Sequence, residues 1–154
     1  MAAVNAETGV APETAVTADQ LKRERLRLTR VDATHTMTGH CAVEVELEWM
    51  EGESVVGRAE GQASTAGDLR IAALATVDAL EKFAKGALDF ELTGIKALRA
   101  FDANIVIVSL ALQQGPGPRR LLGSYLAEAD PIRSSVIAVL NATNRVLGNY
   151  ISAR

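Results

Sequence analysis

The segment HTMTGHC, His35 to Cys41, gathers both histidines and the one cysteine of the chain within seven residues. Imidazole nitrogens and a thiolate are zinc ligands, and a thiol beside an imidazole can also begin a nucleophile–base pair. The spacing matches no standard zinc pattern, no second ligand cluster accompanies it, and Gly39 marks a turn. The segment therefore reads as an ordinary loop, with no metal assigned. No acid, oxyanion loop or cofactor fingerprint stands beside Cys41 to complete an active site. Glu44, Glu46 and Glu48 could suggest acid–base chemistry, but they alternate with Val43, Val45, Leu47 and Trp49. A period of two puts the glutamates on one solvated sheet face, with no apolar pocket to shift a pKa. Ser134-Ser135 has no candidate base nearby in sequence. The cluster Lys22, Arg23, Arg25 and Arg27 could meet an anionic partner, but it alternates with Leu26 and Leu28 and reads as a solvated strand entry. The expectation is a non-enzyme without catalytic residues, metal or cofactor.

The totals agree with a folded domain. The 154 residues are 48% apolar but only 4% aromatic, so small aliphatic side chains must build the core. A net charge of −3 and a pI near 5.4 argue against a nucleic-acid binder, which carries a basic face. One cysteine permits no intramolecular disulfide. The first twenty residues lack a basic n-region and an apolar h-region, and no stretch reaches the ~18 apolar residues of a membrane helix. A cytoplasmic protein without membrane partners is expected. Residues 1–20 read as a flexible tail, followed by one domain over 21–154.

That domain repeats itself. LRLTRVDAT (26–34) returns as FELTGIKAL (90–98), CAVEVELEW (41–49) as ANIVIVSLAL (103–112), SVVGRAEGQAS (54–64) as RLLGSYLAEAD (120–130), and IAALATVDAL (71–80) as IAVLNATNRV (137–146). The offsets run 64, 63 and 66, the increase reflecting a three-residue insertion in QQGPGPRR. A fixed internal period sets the architecture. The prediction is an α+β fold of two tandem βββα repeats, 24–86 and 88–151, each an antiparallel sheet covered by one helix. In the first helix Leu69, Ala72, Ala73, Thr76, Val77, Leu80 and Phe83 recur at helical spacing, with Asp68 as the expected N-cap and Gly86 as the stop. The second helix starts at Asp130-Pro131 and turns Val136, Val139, Leu140, Thr143, Val146, Leu147 and Tyr150 to its sheet. Asn141-Ala142-Thr143, formally a glycosylation acceptor, falls within this helix and is not read as one.

The repeats differ in one informative respect. The strand with acidic residues on its outer face in the first unit carries Ile105, Ile107, Ser109 and Ala111 there in the second, with Val106, Val108, Leu110 and Leu112 facing inward. A strand apolar on both faces is buried on both, yet one helix covers only one face. A two-fold homodimer is therefore predicted.

Two consecutive βββα units with a glycine-containing segment between third strand and helix resemble the C-terminal regulatory domain of α-isopropylmalate synthase and citramalate synthase. The best stretch is LLGSYLAEADPIRSSVIAVLNATNRVL, with Ala138, Val139, Leu140, Asn144 and Arg145 in its closing motif; VVGRAEGQASTAGDLRIAALATVDAL looks like the equivalent part of the first half. The resemblance spans 24–151. It implies a dimer that binds an amino-acid-like end product at the strand-to-helix loops and so inhibits a catalytic barrel. Carried over by position, the ligand-binding residues would be Gly57, Arg58, Ala59, Gly61, Gly123, Ser124, Ala127 and Asp130. Backbone N–H groups at a helix start suit a carboxylate. These 154 residues are too few to hold such a barrel of ~250 residues, so any barrel regulated is expected to be a separate molecule, and Arg58 and Tyr125 are large for such loops. The reading is a stand-alone, non-catalytic regulatory module with a small-molecule effector. The alternative is an interaction or scaffold protein that uses the fold only to dimerise and docks a protein partner through its tail or outer surface.

Overall fold

Two antiparallel hairpin systems, each closed by a helix, make up the described residues. The computed structural model describes residues 25–50, 52–127 and 129–153; the expected tail over 1–20, with Lys22 and Arg23, lies outside them. The first unit contains β1 (Arg27–His35), β2 (His40–Trp49), β3 (Glu53–Gln62) and α1 (Thr65–Phe83). The second contains β4 (Phe90–Ala100), β5 (Ala103–Leu112), β6 (Arg119–Leu126) and α2 (Pro131–Ser152). The sheets are separate, in the orders β1-β2-β3 and β4-β5-β6. The α+β fold of two βββα units is therefore as the sequence predicts.

The register shows how close the repetition is. Each first hairpin slips by one residue at a threonine, between Leu28 and Arg30 in one unit and between Leu92 and Gly94 in the other. Both threonines use the slip to reach across. Thr29 Oγ1 donates to the Glu46 carbonyl at 3.2 Å, and Thr93 Oγ1 to the Ser109 carbonyl at 2.9 Å. Farther along, Val45 pairs with Gly57 and Val108 with Gly123. These partners reproduce the three sequence offsets for the strands.

The helices do not keep the last offset. Ser64 caps α1 and Asp130 caps α2, each seven residues beyond its strand glycine. Yet Gly57 faces Ala75 and Ala79, whereas Gly123 faces Ala138 and Ala142. Helical positions thus correspond at 63, three residues less than the matched strings IAAL and IAVL suggest. Burial agrees: Ala72, Ala73, Ala75, Thr76, Ala79, Leu80 and Phe83 have buried counterparts in Ser135, Val136, Ala138, Val139, Ala142, Thr143 and Val146. The expected pairing of 71–80 with 137–146 is corrected accordingly. The glycine–alanine contact, not the apolar string, sets where a helix sits.

The start of α1 also differs from expectation. Ser64, in extended conformation, accepts from Gly67 N–H at 2.8 Å and is the N-cap. Asp68 lies in the first turn and reaches back to accept from Ser64 N–H at 3.3 Å. Serine and aspartate are both good caps; here the serine caps and the acid reciprocates, as in a capping box.

Each helix covers its own sheet's inner face and the helices touch each other, with α1 also reaching β4. Cys41, Val43, Val45 and Leu47 of β2 and Val106, Val108, Leu110 and Leu112 of β5 are buried. Aromatic contact joins the units at one end. Phe83 meets Trp49 edge-on at 5.7 Å and Tyr150 at 6.0 Å. Leu140 and Tyr150, expected to face the sheet, pack at the margin of the core. Asn141 donates through Nδ2 to the Ser124 carbonyl of edge strand β6 at 2.9 Å. Its counterpart Asp78 accepts the Arg58 N–H of edge strand β3 at 2.9 Å. Both helices thus satisfy part of a sheet edge that would otherwise invite pairing. Among the described residues no helix is long and apolar enough to cross a membrane.

Candidate functional site

The residues carried over as ligand-binding are not gathered in loops. Gly57, Arg58, Ala59 and Gly61 are all within β3, and Gly123 and Ser124 within β6; only Ala127 and Asp130 lie between strand and helix. A Cβ on Gly57 would come within 2.8 Å of Ala79 Cα, and one on Gly123 within 2.7 Å of Ala142 Cβ. These two glycines admit a helix backbone, and the helix occupies that space. Gly61 is less tightly held, with Ile71 Cδ1 3.4 Å from an added Cβ. Arg58 lies on the opposite face of β3, where its Nε donates to Glu44 Oε2 at 2.7 Å. Ala127 is buried, and its N–H donates to the Asn104 carbonyl at 2.8 Å. The Asp130 carboxylate accepts from Arg133 N–H at 3.2 Å.

The chain does bring chemistry-bearing groups together elsewhere. The β1–β2 turn pairs His35 with Cys41 across the strands, and α1 sets Asp68 over them. His35 Nε2 stands 2.8 Å from Asp68 Oδ2, and the ligating atoms of His35, Cys41 and Asp68 all lie within 4.8 Å of one another. Burial and the neighbouring Asp68 charge push the Cys41 thiol up, away from the nucleophilic thiolate. Burial also opposes the Asp68 charge, but hydrogen bonds from His35, the Ser64 N–H and the Cys41 thiol outweigh it and hold this carboxyl below its ordinary range. With the thiol raised by burial and by a neighbouring carboxylate charge, Cys41 lacks the surroundings of a nucleophile activated by a base. His40 turns to the other face, with Nε2 3.7 Å from Glu60. Sequence reading grouped His40 with the pair and missed Asp68. The available signal was that a short turn puts the residues flanking it on one face, while the helix start must pass over that end of the sheet.

The two outer sheet faces are the other candidate surface, and they are unlike. On the first, Arg27 pairs with Glu48 and Arg30 with Asp32, while Arg30 also reaches Glu44 at 3.3 Å. The Arg58 guanidinium beside Glu44, helped by Arg30, holds that carboxyl below its usual range. The second has cross-strand rows Leu98–Ile105–Leu126, Lys96–Ile107–Ser124 and Gly94–Ser109–Leu122. Ile107 is 37% exposed, Leu126 44% and Leu122 65%. A Cβ on Gly94 meets nothing within 4 Å, so the bare backbone of this face has no steric cause inside the chain. The hairpin tips add fully exposed Met37 and Phe101.

A cleft of about 280 Å³ opens at the C-terminal end of α2, between Leu88, Leu112, Arg119, Val146 and Tyr150. It lies apart from the eight carried-over residues, none of which lines it. No family model matches this chain, and no curated protein matches it.

Proposed function

We propose that this protein is a non-catalytic regulatory module that works as a homodimer, with the outer face of its second sheet stacked on that of a second copy. The observation that carries the reading is the inequality of the two outer faces. Arginine and glutamate ladders solvate one, while Ile105, Ile107, Leu122 and Leu126 leave the other apolar. A face of this kind is the sort that monomers avoid presenting to water. A two-fold stack needs only the surface already present, because an isologous interface is self-complementary. The resemblance to the regulatory domain of α-isopropylmalate synthase supplies the effector half of the proposal, an amino-acid-like molecule. The cleft near Arg119 suits such a molecule better than the helix-filled glycines do, because a guanidinium can clamp a carboxylate.

A soluble paramagnetic agent with methyl spectra of the full chain tests the dimer. Ile107 and Leu122 methyls are expected to stay shielded, while the Met37 methyl broadens. Broadening of all three would contradict the stacking.

One observation favours the interaction reading as a second possibility. Helix backbones fill the space at Gly57 and Gly123, where the resemblance would seat a ligand. A scaffold of this kind dimerises in the same way but shows no rise in melting temperature with any amino acid. A bound effector at 100 times its dissociation constant would add about 2.7 kcal/mol.

A further inference from the structure

We infer that His35, Cys41 and Asp68 form a binding site for a divalent transition-metal ion of the zinc type. Three elements each contribute one donor: an imidazole nitrogen from β1, a sulfur from β2 and a carboxylate oxygen from α1. Nitrogen, sulfur and oxygen donors together select zinc or cobalt over calcium or magnesium, which take oxygen alone. Zinc holds such atoms at about 2.0–2.3 Å, which places tetrahedral donors roughly 3.3–3.8 Å apart. The present separations bracket that range, from 2.8 Å between His35 Nε2 and Asp68 Oδ2 to no more than 4.8 Å across the cluster.

The surroundings suit this use. Asp68 Oδ1 accepts from Ser64 N–H, so the helix cap orients the carboxylate while Oδ2 faces the cluster. Outer hydrogen bonds of this type position metal ligands. Cys41 is fully buried, whereas the His35 side chain is 46% and that of Asp68 21% exposed, so an ion enters from the imidazole side. Three protein ligands leave a fourth position for water or an incoming carboxylate. The inference does not depend on dimerisation or on the cleft near Arg119.

Cobalt(II) titration of the full chain, followed by thiolate-to-metal charge-transfer absorption, tests it. The expected result is a saturable one-to-one signal that zinc abolishes by displacement. Cys41→Ser is expected to remove the signal, and His35→Gln and Asp68→Asn each to weaken binding about ten-fold or more. His40→Gln, beside Cys41 but on the opposite face, is expected to leave it unchanged. The two rim variants decide the matter should Cys41→Ser fail to fold. Absence of the thiolate signal at millimolar cobalt overturns the inference. So does a signal that survives both Asp68→Asn and His35→Gln at full affinity.

Discussion

Glu81, near the end of α1, shows how the fold sets one side chain's energetics. Its carboxylate accepts the Phe90 N–H at 2.9 Å, tying the helix end to the start of β4. Burial pushes its pKa up, the Phe90 hydrogen bond opposes that, and the nearby Asp89 charge raises it further, with a net rise. A carboxyl raised in the folded state contributes stability below its unfolded pKa and loses it as pH climbs through the folded value. At neutral pH the Glu81 charge therefore weakens the fold. Glu81→Gln keeps an acceptor for Phe90 and removes the charge. Its melting temperature is predicted to exceed that of the wild type at pH 7, the gap to shrink as pH falls through the raised folded value, and the shrinkage to be complete below about 4.3, the ordinary glutamate value. Thermal unfolding across pH checks this; a gap independent of pH would contradict it. The candidate metal cluster belongs to the same scale and was only half visible in the sequence. His35 and Cys41 flank one turn, but Asp68 stands 33 residues from His35 and is assigned by the sequence to a cap. Only the packing of a helix start over a hairpin brings it in.

At the scale of elements, the helix–sheet contact dominates. Gly57 and Gly123 let α1 and α2 approach so closely that any β-carbon would strike helix backbone, which cannot rotate aside. Gly57→Ala and Gly123→Ala are each predicted to cost about 3 kcal/mol, the upper end for overpacking. Gly61→Ala, which meets only the flexible end of Ile71, is predicted to stay within about 0.5 kcal/mol of wild type. Denaturant titration distinguishes these outcomes; equal costs at all three positions would contradict this account of the contact. Much of this level was legible beforehand. The shared Leu-Thr-x-hydrophobic-x-Ala string aligned the first strands of the two units, and the strand offsets hold in the register; the slips at Thr29 and Thr93 came only with the structure. The helix offset was not legible, because Ile-Ala-x-Leu follows each glycine at the same sequence distance but lies about one turn apart relative to the alanines that meet the glycines. Apolar strings report which face is buried, whereas glycine and alanine report how far along a helix the contact falls. The carried-over residues were misplaced for the same reason. A glycine before a helix suggests a loop in the sequence, but here it lies inside a strand and makes room for the helix.

For the whole molecule, the central claim is that a second copy shelters the outer face of β4-β5-β6. The sequence showed that β5 is apolar on both sides, and the fold leaves one side uncovered by any described element. Because Ile107 is 37% exposed in the single chain, a charge there reaches water and does not compel unfolding. Ile107→Asp is therefore the most direct test, by sedimentation of wild type and variant at matched concentrations. A charge that stays buried without a partner is costly, so the pair must separate. The prediction is a dimeric wild type and a variant that sediments as a folded monomer with an unchanged circular dichroism spectrum. A monomeric wild type, or a variant that remains dimeric with equal affinity, would contradict the claim.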